Sequence, residues 1–103
     1  METKSSNVTP RNPRTERVYV KVTSEFESTG YMRPLSITWK DGRKFIVQKI
    51  ENFCPAGLAG NYQTVDRYTV WIQGQKKFLF FEPVDPRFKG RLGRWFVEKY
   101  TRL

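Results

Sequence analysis

The chain has 103 residues, with 19 Lys and Arg against 10 Asp and Glu and no His, for a formal net charge of +9. That length allows one domain with a modest core, and the missing His removes the commonest general base near neutral pH and the commonest metal ligand. A lone cysteine, Cys54, excludes an internal disulfide and a zinc site, so the composition points to binding of a polyanion rather than to catalysis.

Residues 1–16 are polar, hold Pro10 and Pro13, and read as a disordered tail. They lack the apolar stretch of a signal peptide, and no long apolar run follows. With a single cysteine this implies a cytoplasmic protein with no membrane role. The expected division is a tail over 1–16 and one small β domain over 17–103.

From Arg17 the pattern becomes that of strands. Val18, Val20 and Val22 alternate with Tyr19, Lys21 and Thr23, a period of two with one valine face, and Gly30 marks a turn. The second strand spans 33–40, with Pro34 near its start, where no ladder bond is required. Asp41-Gly42 predicts a two-residue type I′ hairpin into a third strand over 43–50. In that register Ile37 faces Ile46 and Trp39 faces Lys44. Leu35, Ile37, Trp39, Ile46 and Ile50 then share one face, and Thr38, Phe45 and Val47 share the other. Residues 53–62 read as the main loop, because Pro55, Gly57 and Gly60 break regular structure.

A fourth strand covers 67–73. Gly74-Gln75 suits a type II′ turn into a fifth strand over 76–82, with Val70 opposite Leu79 and Trp71 opposite Phe78. Pro83 and Pro86 end it, and 94–100 is the sixth. The whole predicts an all-β fold of six short antiparallel strands in a curled sheet or small SH3-like barrel.

Four groups of residues invite a chemical reading. The segment 87–95 carries Arg87, Lys89, Arg91 and Arg94 among Phe88 and Trp95, and residues 84–103 hold six cations against Asp85 and Glu98. Cations neutralise phosphates and aromatic faces stack on bases; the alternative is a solvated loop. Lys44, Lys76 and Lys77 near the hairpin tips extend the field, and Trp39 beside one tip is a stacking candidate or a packing residue. The run 78–81 is a base-stacking face or, as the apolar length favours, a buried strand. Cys54 has no base to hold a thiolate and reads as a small buried hydrophobe. The segment 55–60 lacks the Gly-Lys-Ser/Thr ending of a phosphate loop, so no cofactor is implied.

Tyr19-Val20-Lys21-Val22, Pro34-Leu35-Ser36-Ile37-Thr38-Trp39-Lys40-Asp41-Gly42-Arg43, Arg67-Tyr68-Thr69-Val70, Phe78-Leu79-Phe80-Phe81-Glu82 and Arg94-Trp95-Phe96-Val97-Glu98 resemble a family of short uncharacterised bacterial proteins, mainly from Firmicutes. The resemblance covers roughly residues 17–100 and implies an all-β domain. It implies no activity, and the chain departs from the pattern at 54–63 and 84–93.

The leading expectation is therefore a non-enzymatic module that binds DNA or RNA through the phosphate backbone, with Arg87, Lys89, Arg91, Arg94, Lys44, Lys76, Lys77 and Trp39 as contacts. The alternative is a protein-interaction module, monomeric or homodimeric through a strand edge or Trp39. An enzyme built on an unsuspected carboxylate pair is the third.

Overall fold

A computed structural model describes residues 15–58, 63–84, 87 and 90–100. Seven strands form one antiparallel sheet: β1 (Thr15–Phe26), β2 (Met32–Thr38), β3 (Lys44–Ile46), β4 (Lys49–Cys54), β5 (Asp66–Ile72), β6 (Gln75–Pro83) and β7 (Gly93–Tyr100). Their spatial order is β3-β2-β1-β7-β6-β5-β4. No helix occurs among the described residues, and so none is long and apolar enough to cross a membrane. Of the predicted tail, residues 1–14 lie outside the described residues, while Thr15 and Glu16 already belong to β1.

The order shows how strongly the sheet curls. Its two edges, β3 and β4, are consecutive in the chain and separated by only Val47 and Gln48. The Val47 N–H donates to the Leu35 carbonyl of β2, and the Gln48 N–H to the Trp71 carbonyl of β5, at 2.9 and 2.8 Å. One continuous stretch thus turns a corner and serves both edges, which bends the sheet into a half-barrel. The expected third strand over 43–50 is split at this corner, and its second part runs on to Cys54. That is why seven strands replace six, and why Phe53 and Cys54 are strand rather than loop.

β1 is the other shared element. Its residues 15–20 pair with β7 and its residues 21–26 with β2. A bulge between Thr23 and Ser24 places Ser24 opposite Pro34 and leaves Leu35 unmatched. Proline lacks an N–H, so an interrupted ladder is where a strand tolerates it.

Two hairpin registers differ from the sequence expectation. After β2 the Trp39 carbonyl accepts from Gly42 N–H, Trp39 N–H donates to the Arg43 carbonyl, and Gly42 has φ +91°. The loop is therefore the three residues Lys40, Asp41 and Gly42, a turn followed by a left-handed glycine, and not the two-residue Asp41-Gly42. The Asp41 carboxylate holds it by accepting from the Arg43 backbone N–H and Nε, at 3.0 and 2.7 Å. Pairing slips by one: Ile37 faces Phe45, Thr38 faces Lys44, and Ser36 faces Ile46. A slip of one inverts the faces, so Phe45 packs inward against Trp39 and Ile46 is exposed.

Between β5 and β6 the turn is Gln73-Gly74, with φ of 51° and 73°, a type I′ geometry in place of the expected type II′ at Gly74-Gln75. The Gln48 side-chain oxygen accepts from Gly74 N–H at 2.8 Å and fixes this tip. Val70 accordingly faces Lys77, and Tyr68 faces Leu79. The slip is two residues, so each side chain keeps its predicted face.

Apolar residues fill both sides of the sheet. Inside the curl, Ile37, Tyr68, Val70, Leu79 and Trp95 are buried, with Val20, Val22, Ile50 and Val97 packed on them. On the outer side Phe80 and Phe96 stack at 4.9 Å and 11°, beside Val65 and Tyr19. The run 78–81 is thus mainly core, with Leu79 and Phe80 buried and only Phe78 half exposed. Cys54 is buried as well.

Candidate nucleic-acid interface

The strands carry the cations to two opposite ends of the half-barrel. β6 runs from the hairpin tip at Gln75 to Pro83, where the segment 84–92 begins. At about 3.4 Å per residue, Lys77 and Pro83 are roughly 20 Å apart.

At the far end lie Arg87, Arg91 and Arg94. Arg87 and Arg91 are exposed, whereas Lys89 and Phe88 lie outside the described residues. Arg94 is engaged. Its guanidinium is 3.9 Å from the Tyr19 ring centroid, and its Nη2 donates to Glu82 Oε1 at 3.0 Å and to the Tyr19 hydroxyl at 3.2 Å. Arg17 approaches the same carboxylate from the other side, at 2.9 Å to Oε2, and lies 4.4 Å from the Phe96 ring centroid. Partial desolvation raises the Glu82 pKa, but hydrogen bonds from Tyr19 and Arg94 and the charges of both arginines outweigh it and hold it below its ordinary value. Two arginines thus share one glutamate, Arg17 over the Phe96 ring and Arg94 over the Tyr19 ring, and much of their charge is matched there.

The hairpin-tip end is different. There the inner face opens into a cleft of about 920 Å³, floored by Val18, Ile37, Val70, Ile72 and Val97. Lys40, Arg43, Lys76, Lys77 and Lys99 border it, with Asp41 and Glu98 as the only acids among the described residues there. Trp39 stands on the rim, and Tyr100 reaches the cleft from the end of β7, on the face opposite Lys99. The alternation of β7 places Lys99 on the face of Val97, and β6 places Lys77 opposite Val70, so both cations arise on the side of the apolar floor.

Two of these cations are matched. Arg43 Nε lies 2.7 Å from Asp41 Oδ2, and Lys76 Nζ lies 3.0 Å from Glu51 Oε2. Glu51 occupies the bulge in β4 between Ile50 and Asn52, and it also accepts from Trp71 Nε1 at 2.9 Å. That hydrogen bond first, then the one from Lys76, lowers its pKa below the ordinary value. Lys40, Lys77 and Lys99 have no carboxylate within ion-pair distance among the described residues.

Of the sequence candidates, the structure gathers Trp39, Lys76 and Lys77 around one cleft, with Lys44 next to Arg43 at the start of β3. It leaves Arg87, Arg91 and Arg94 at the other end. Sequence reasoning passed over Lys40, Arg43, Lys99 and Tyr100. Lys40 and Arg43 flank the Asp41-Gly42 turn and Lys99 shares the face of Val97 two residues before it, signals that needed only a correct face assignment. Arg17, read as the first residue of a strand, is instead half of the Glu82 clamp.

No family model, no curated protein and no solved structure matches the chain. Function is therefore read from the chain's own residues.

Proposed function

We propose that this protein is a non-catalytic module that binds nucleic acid through its phosphates, and that the hairpin-tip end is the binding surface. The observation carrying this reading is the set Lys40, Lys77 and Lys99, three cations around one open cleft with no carboxylate partner among the described residues. Ammonium groups of this kind on a shared rim raise the local potential and displace counterions from a polyanion. The loop cations Arg87 and Arg91 add a weaker, more distant field.

The test compares two variants, Lys40→Ala/Lys77→Ala/Lys99→Ala and Arg87→Ala/Arg91→Ala. Labelled oligonucleotides are titrated by anisotropy across a salt series. The rim variant is expected to weaken binding and to flatten the slope of log K against log salt by about 2–3, roughly one for each phosphate that is no longer neutralised. The loop variant is expected to change both less. Oligonucleotide binding that is absent in the parent, or equal in the parent and the rim variant, overturns the proposal.

A further inference from the structure

The ladder between β6 and β7 is incomplete. It joins residues 80–83 to residues 93–96 and ends at the pair Phe80 and Phe96. Beyond that pair, residues 75–79 of β6 remain bound to β5, and residues 97–100 of β7 remain bound to β1. The two strands diverge, and the cleft lies where they part, lined on one side by Gln75, Lys77 and Phe78 and on the other by Val97, Lys99 and Tyr100. Backbone N–H and C=O groups on the facing sides of this seam have no ladder partner, and such groups bond readily to an incoming ligand.

A phosphate backbone alone makes no use of an apolar floor. A duplex keeps its bases stacked inside and presents phosphates to a surface such as this one, so the partly exposed Val18, Ile72 and Val97 of the floor would stay uncovered. A single strand can turn its bases towards the floor while its phosphates meet the rim. Trp39 is held at that rim by an edge contact with Phe45, centroids 6.4 Å apart at 83°.

We propose that the seam between β6 and β7 takes single-stranded nucleic acid, with bases inserted against the partly exposed Val18, Ile72 and Val97 beside Trp39 and phosphates on Lys40, Lys77 and Lys99. This rests on the nucleic-acid reading above and specifies its ligand. The open backbone groups of the seam supply hydrogen bonds to base edges without demanding one sequence.

The experiment titrates the full chain with a single-stranded dodecamer, the matching duplex and an abasic dodecamer that keeps the phosphates. The single strand is expected to bind about tenfold or more tightly than the other two at equal salt. Trp39→Ala is expected to weaken single-strand binding about tenfold while leaving abasic binding unchanged, as removal of a stacking aromatic ring does, whereas Tyr100→Ala, on the opposite face, is expected to change neither. Equal binding of all three oligonucleotides, still weakened by the rim variant, overturns base insertion and leaves the phosphate reading standing. No binding of any oligonucleotide overturns both. Light scattering that shows a salt-resistant homodimer abolished by Trp39→Ala also overturns the proposal, because a second copy then fills the seam.

Discussion

Tyr68 shows how one side chain ties the two parts of the sheet together. It is buried on β5, its ring lies 4.7 Å from Phe53 and 5.4 Å from Trp95, and its hydroxyl donates to the Met32 carbonyl of β2 at 2.8 Å. Burial, and then the charge of Asp66, push its pKa up to about 12. The neutral phenol is thus favoured in the fold. Its contribution is complete below pH 10, the ordinary tyrosine value, and is lost as pH rises towards 12. Tyr68→Phe is expected to cost about 1 kcal/mol at pH 7 through the missing hydrogen bond. Above pH 10 the parent should give up about 2–3 kcal/mol that the variant lacks, so their urea-unfolding curves should converge and cross. Parallel pH profiles would contradict this account.

At the scale of elements, the short ladder between β6 and β7 depends on Gly93. A Cβ there would press on the Phe81 ring and lie 2.6 Å from the Glu82 carbonyl oxygen, both on the facing strand. Gly93→Ala is expected to destabilise the protein by about 1–3 kcal/mol, read as a lower urea midpoint, because ring and backbone must both shift. An unchanged midpoint would mean that the ladder yields freely there.

Most strands were legible because the valines at 18, 20 and 22 and the run 67–72 alternate with period two. The hairpin registers were less so. Asp41-Gly42 reads equally as a two-residue turn or as the end of a three-residue one, and the choice rests on where the Asp41 carboxylate finds N–H groups. The corner at Val47 and Gln48 carries no glycine or proline, so nothing local announces it; it exists because two edges need one strand. The cleft was invisible for the same reason, since it is made by strands parting rather than by any motif.

For the whole molecule, the decisive quantity is the excess of 19 cations over 10 acids. Glu82, Glu51 and Asp41 each sit among cations and hydrogen-bond donors that hold their carboxyl groups below the ordinary range. Their contribution is complete above the ordinary carboxylate values near pH 4 and falls away as pH drops further. Each proton taken up also removes a negative charge from an already positive surface, which adds self-repulsion. The protein is expected to lose stability steeply below about pH 4, less so in added salt, with Glu82→Gln weakening that acid limb in thermal melts. Acid melts identical in the parent and Glu82→Gln would remove the Arg17–Glu82–Arg94 cluster from the explanation.

Thr15 pairs with Tyr100 across β1 and β7, so the polypeptide enters and leaves the domain at neighbouring points, and Tyr100 is on the mouth of the cleft. A fluorescent reporter joined directly at Thr15 or Tyr100 would therefore sit at the opening and compete for it sterically. Grafting such a reporter into the segment 84–92 instead, with the old termini spliced by a short linker, would keep the opening clear.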